Sequence, residues 1–201
     1  MGGWRWLALL ALLAGACAQA QPPVPAPVRA AGPTQTVAID TQRSLLGFEI
    51  RTRYGQRLTG RFPVFSGQVQ TLADGRHQVS LVIDARSAEV IGHRRYTGWL
   101  RGAEFFDVQH HPQILFSSQP HPADTALAGG DVEGELTLRG IRGPVRMRVM
   151  PAQCDAPGYD CPVSGRGTVS RTVYGMDGWQ LALGDRVTFV MQVRLSGVDP
   201  S

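Results

Sequence analysis

Charge is scarce in this chain: Asp, Glu, Lys and Arg supply 18% of its 201 residues, and the formal balance is only +4. The positive side chains are scattered, as where Arg146 and Arg148 alternate with Val145, Met147 and Val149 to form a solvated face. Nucleic-acid binding calls for a clustered basic stripe interleaved with stacking aromatics, and none is present, so no nucleic-acid partner is expected. Catalytic signatures are missing as well. There is no Gly-x-Ser-x-Gly elbow, no phosphate-binding loop and no dinucleotide fingerprint. The five histidines, His77, His93, His110, His111 and His121, never form a His-x-His or His-x3-His pair beside an acid. They read as surface or turn residues, and neither a metal nor another cofactor is required.

Long apolar runs are confined to the N-terminus. Arg5 precedes about ten apolar residues and then small ones, the pattern of a secretory signal over 1–20, too short for a transmembrane helix. Two cleavage positions fit. Ala14-Gly15-Ala16 before Cys17 resembles a bacterial lipobox, which would acylate Cys17 and anchor the protein to a membrane, while Ala18-Gln19-Ala20 suits ordinary cleavage before Gln21. The expected location is periplasmic or secreted, with an outer-membrane lipoprotein as the variant that Cys17 allows. A Pro- and Ala-rich linker spans 21–35, and a single domain is expected over 36–197.

Cysteine is nearly absent from that domain: only Cys154 and Cys161 remain, across a Pro157-Gly158 turn. In an exported chain this predicts a disulfide closing a hairpin loop, worth at most about 2.5 kcal/mol in the chain-entropy picture. Two cysteines without a nearby His fall short of a zinc ligand set.

Glycine is plentiful, 24 residues, and period-two alternation recurs along the chain. Leu46, Phe48, Ile50 and Thr52 share one face, as do Val79, Leu81 and Ile83, then Ile114, Phe116 and Ser118, and finally Val187, Phe189, Met191, Val193 and Leu195. Residues 62–72, interrupted by Pro63 and Gly67, suggest a bulged or edge strand, and Leu127 to Leu138 suggests another strand, kinked by its glycines. Tyr96, Trp99 and Leu100 sit at helical spacings, so a short helix or pair of turns, weakened by Gly98, covers 92–101. The expectation is an all-β, antiparallel barrel drawn from roughly eight to ten strands, about eight closing the wall, with short helical segments near its mouth.

Asp107, His110 and His111 lie close enough in sequence to suggest chemistry, but Asp107 after Phe105-Phe106 reads better as a turn residue or a cap bonding backbone N–H groups. Leu100, Phe105 and Phe106 are expected to form a cap over the barrel mouth. The apolar phase, Phe48, Ile50, Leu81, Ile83, Phe116, Phe189 and Met191, either fills a solid core or lines a cavity for a long greasy partner, with Met147 and Met191 adapting to a flexible chain.

The order and spacing of several short motifs resemble the YceI-like family of secreted bacterial lipid- and polyisoprenoid-binding proteins. They are Ile39-Asp40, Gly60-Arg-Phe62 with Gly67, Ile83-Asp84-Ala85-Arg-Ser87, Leu100-Arg101 with Phe105-Phe106-Asp107, His111-Pro112-Gln-Ile114-Leu-Phe116-Ser117-Ser118, Gly134-Glu-Leu136-Thr-Leu138-Arg-Gly140 and Ser170-Arg171-Thr-Val-Tyr174-Gly175-Met176. The resemblance implies a lipocalin-like barrel holding a polyisoprenoid, an isoprenoid quinone or a fatty-acyl chain, and a non-catalytic binding role. It selects the cavity over the solid core. Thr52 stands where many members carry a His, a departure from the family's pattern at that position, and the Cys154 to Cys161 insertion receives no binding role. The rival readings are an enzyme or redox partner acting on an isoprenoid quinone through Asp107, His110 and His111, and a membrane-tethered accessory protein. The sequence sets no oligomeric state.

Overall fold

Alternating side chains become a continuous antiparallel sheet in the computed structural model, which describes residues 33–197. The expected leader, Cys17 and most of the linker lie outside the described residues. The strands are β1 (Gln35–Ala38), β2 (Leu45–Thr52), β3 (Arg57–Arg61), β4 (Phe65–Thr71), β5 (His77–Asp84), β6 (Glu89–Val90), β7 (Gln113–Ser118), β8 (Gly130–Leu138), β9 (Ile141–Val149), β10 (Val163–Ser170) and β11 (Leu183–Val193). Helix α1 (Arg94–Arg101) follows β6, and the one-turn α2 (Thr125–Ala128) precedes β8. The sheet order is β1-β4-β5-β7-β8-β9-β10-β11-β2-β3-β6.

Two stitches curl this sheet into a lipocalin-like barrel. Beyond β1, Ile39 bridges Leu195 beyond β11, with the Asp40 N–H donating to the Arg194 carbonyl at 2.9 Å and the Ser196 N–H to the Ala38 carbonyl at 2.9 Å. Opposite, the chain passes from β3 to β4 through Phe62–Val64 alone. Phe62 N–H still reaches the Leu46 carbonyl on the β2 side and Val64 carbonyl accepts from Asp84 on the β5 side, both at 2.9 Å. Pro63, which has no N–H to give, sits at this corner.

Several expectations change in detail. Among the described residues there are eleven strands, because short segments such as β3 and β6 carry too few residues to show an alternation. The segment after Pro63 is an interior strand, with β4 paired to both β1 and β5. Leu127 lies in α2, not in a strand; β8 begins only at Gly130, where Gly129 and Gly130, both with positive φ, turn the chain.

Inside, Phe48, Phe62, Phe106 and Phe189 form one ring cluster with centroids 5.3 to 6.5 Å apart. Missing side chains make room for such rings. A Cβ on Gly60 would collide with the Phe48 ring, and one on Gly134 would stand 2.7 Å from Phe116 Cε2. Outside, Arg146 pairs with Glu133 and Arg148 with Asp131 across β8 and β9, each at 2.6 Å in the expected solvated face. Pairs this exposed contribute only about 0.2–1 kcal/mol each.

Candidate functional site

The alternating inner face encloses two separate apolar cavities. The first, about 270 Å³, is lined by β2 through Phe48 and Ile50, by β11 through Leu183, Val187 and Phe189, and by α1 through Tyr96, Trp99 and Leu100. The second, about 310 Å³, lies toward the other end of β11, around Met191 and Val193, with Leu81, Phe116 and Met147. They share no lining residue. Between them a gap of about 40 Å³ is bounded by Phe62, Ile83, Leu81, Phe189 and Met191.

This arrangement divides the residues predicted to line one cavity. Phe48, Ile50 and Phe189 face the first; Leu81, Phe116 and Met191 face the second. Ile83 touches neither and packs in the gap between them. Leu100, Phe105 and Phe106 line the first cavity as part of its wall, and Phe106 meets Phe48 edge-on with centroids 6.1 Å apart. Thr52 also lines it, while its hydroxyl accepts from the Gln56 N–H at 3.0 Å.

Polar groups are few. Arg171, only 2% exposed, lines the first cavity because a turn wraps its guanidinium: Nε donates to the Gly184 carbonyl at 3.0 Å, and Nη1 donates to the carbonyls of Gly178 at 2.7 Å and of Met176. Burial lowers its pKa, opposed by the charges of Asp185 and Asp177. At the second cavity, β5 and the segment after β7 exchange N–H···O bonds between His77 and His121, at 2.8 and 2.9 Å. Both rings line the cavity, and desolvation, then the neighbouring His121, pushes the His77 pKa down.

Asp107, by contrast, works locally. It carries a positive φ of 46°, and its carbonyl, not its side chain, accepts from the N–H groups of His110 and His111. Its carboxylate instead meets His110 Nδ1 at 2.9 Å, which holds its pKa below the usual range. Asp107 is thus a turn residue bonding backbone N–H groups, and its carboxylate pairs with an imidazole. None of Asp107, His110 or His111 lines either cavity or the gap between them. Among the described residues no group of three His, Cys, Asp or Glu side chains is placed to hold a metal.

The Cys154–Cys161 disulfide forms, and its loop does more than expected. The Leu195 N–H donates to the Gly158 carbonyl at 2.8 Å, Arg194 Nη1 donates to the Tyr159 carbonyl at 2.7 Å, and Pro157 and Tyr159 become part of the second cavity's wall. Sequence reasoning gave this loop no place at the site. Its Pro157-Gly158 turn was visible, but where the turn docks depends on Arg194 and Leu195, more than thirty residues downstream.

A family model for the YceI-like domain matches residues 38–195. The chain belongs to the YceI-like domain family. Among solved structures, this YceI-like domain is similar to Burkholderia cenocepacia BcnA, with a TM-score of 0.64 at 21% identity, covering 79% of this chain and 99% of that one. It is also similar to a polyisoprenoid-binding domain from Saccharophagus degradans implicated in plant cell wall breakdown, with a TM-score of 0.56 at 20% identity, covering 79% and 98%. At these identities the likeness is one of fold. No curated protein matches the YceI-like chain.

Proposed function

We propose that this protein is a non-catalytic, periplasmic carrier that holds a long apolar chain, isoprenoid or fatty-acyl, along the inside of its barrel. The observation that carries the reading is the pair of apolar cavities set end to end along β11, with few polar groups in either. Each is near the lower end of the size of small-molecule sites, so a long chain would occupy both. Burying one five-carbon isoprene unit contributes roughly 4 kcal/mol before ordering costs, so a few units bind tightly without a charged clamp. The polyisoprenoid-binding description of the Saccharophagus degradans domain, which shares this fold, supports the same ligand class. A quinone-directed enzyme lacks comparable support, since Asp107, His110 and His111 face none of the cavities.

Native mass spectrometry of protein purified from its own host tests the reading. A co-purifying isoprenoid or acyl lipid is expected. A barrel that is reproducibly empty and takes up neither class in vitro would overturn it. The intact mass of the same sample reports export: cleavage before Gln21 is expected, whereas a diacylglyceryl adduct would assign Cys17 as a membrane anchor.

A further inference from the structure

The two most exposed large hydrophobic side chains among the described residues are Leu181, at 90%, and Tyr54, at 89%. They lie far apart in sequence and come together on adjoining loops. The Arg53 N–H donates to the Ala182 carbonyl and Arg53 Nε to the Gln180 carbonyl, both at 2.8 Å, so the β2–β3 turn and the segment before β11 form one lip. That lip is the rim of the first cavity: Tyr54 and Gln56 line it from one loop, Trp179 and Ala182 from the other. Helix α1 continues the rim through Trp99, whose ring centroid lies 4.4 Å from that of Trp179 and 5.3 Å from that of Tyr96.

Folding gains nothing from leaving Leu181 and Tyr54 in water at the edge of an apolar cavity. The charge around them is predominantly positive. Segments 51–57, 93–101 and 177–183 contain Arg51, Arg53, Arg57, Arg94, Arg95 and Arg101, against Asp177 and the nearby Glu104, whose carboxylate accepts from Trp179 Nε1 at 2.9 Å. Among the described residues Arg57 pairs with Glu49, while Arg51, Arg53, Arg94 and Arg95 make no ion pair. Exposed Trp and Tyr beside unpaired arginines match the interfacial zone of an anionic bilayer, where the rings sit at headgroup depth and the cations meet phosphate.

We propose that the rim built from Tyr54, Leu181, Trp179 and Trp99 docks on an anionic lipid surface and presents the first cavity to it. Leu181 and Tyr54 enter the headgroup layer, and the arginines hold the rim down. The inference deepens the carrier reading, because a lipid would then move between bilayer and cavity without crossing water. Docking itself is read separately from cavity occupancy.

The test is co-sedimentation with vesicles of phosphatidylcholine, with and without phosphatidylglycerol. It uses the protein beginning at Gln21, which lacks Cys17, so that no acyl group can mediate attachment. Binding to the phosphatidylglycerol vesicles is expected, weakening as salt is raised. The double variant Tyr54→Ser/Leu181→Ser should lower the partition coefficient roughly tenfold or more. Arg51→Gln/Arg94→Gln should reduce binding to phosphatidylglycerol vesicles by roughly tenfold, and Leu115→Ser, an exposed apolar change on β7 away from the rim, should change nothing. Thermal midpoints of the rim variants should match the wild type, because both apolar side chains are already in solvent. Absence of wild-type binding, or equal binding by the double variant, overturns the proposal. So does a dimer in sedimentation velocity that Tyr54→Ser/Leu181→Ser dissolves, which would assign the rim to a second copy of the chain. If vesicle binding fails while native mass spectrometry finds a bound lipid, the docking inference falls and the carrier reading stands.

Discussion

Phe62 and Phe189 stack in the middle of the barrel, with ring centroids 6.5 Å apart and planes inclined by 24°. Both border the small gap between the two cavities, so the pair forms a waist that a long ligand must displace. Phe62→Ala is expected to destabilise the fold by about 3–5 kcal/mol, since Phe62 is only 2% exposed, and to merge the gap with its neighbours. Urea denaturation measures the first effect. The chain-length distribution of co-purifying lipid measures the second, with longer chains expected in the variant than in the wild type.

Arg171 ties the segment from Met176 to Gly184 to the end of β10 through three carbonyls. Removing the guanidinium leaves those acceptors without donors in a cavity wall. Arg171→Met should therefore cost about 3 kcal/mol or more, as expected for losing a buried charged partner to several hydrogen bonds. Hydrogen exchange should show faster amides across 176–183 than elsewhere. A uniform rise in exchange over the whole barrel would argue against a local clamp.

How much of this was legible in the sequence depends on how local each determinant is. Strands β2, β5, β7 and β11 were readable because Phe48, Leu81, Phe116 and Phe189 each sit in an uninterrupted alternation, and α1 because Tyr96, Trp99 and Leu100 fall at helical spacing. The length of β4 was visible but not its interior position: Pro63 and Gly67 resemble the interruptions of an edge strand, whereas pairing with β1 is decided by chain far away. The waist was hidden for the same reason. Phe62 stands beside Pro63 outside any alternating run, and only closure of the wall brings it against Phe189. Arg171 reads as a surface cation until the carbonyls of a glycine-containing turn are folded around it. The split into two cavities is thus a property of side chains meeting across the barrel, which no single strand encodes.

The Cys154–Cys161 bond holds a loop that supplies Pro157 and Tyr159 to the second cavity. Cys154→Ser/Cys161→Ser is expected to lower stability by at most about 2.5 kcal/mol, the entropy of a short closed loop. The larger effect should fall on that end of the barrel. Because Arg194 and Leu195 bond to the loop backbone, exchange at 157–161 and 194–196 should accelerate together, while α1 and the first cavity stay protected. Acceleration confined to 154–161 would show that the loop's docking does not depend on the disulfide.

His77 offers a pH test of the second cavity. Burial, followed by the charge of His121, depresses its folded pKa below the ordinary 6.5. Above that ordinary value the ring is neutral in both folded and unfolded chains, and its titration adds no pH dependence. As the pH falls below it, the unfolded chain takes up a proton that the folded chain resists, so stability decreases with falling pH until the folded pKa is passed, where the loss levels off. Lowering the pH from about 7.5 to about 5.5 should therefore reduce the urea midpoint of the wild type more than that of His77→Gln, in which this difference in proton uptake is gone. A ligand filling the second cavity should deepen the burial of His77 and widen the gap between the two proteins. Equal losses in both, with and without lipid, would mean that His77 titrates as it would in water and that the cavity around it is open to solvent.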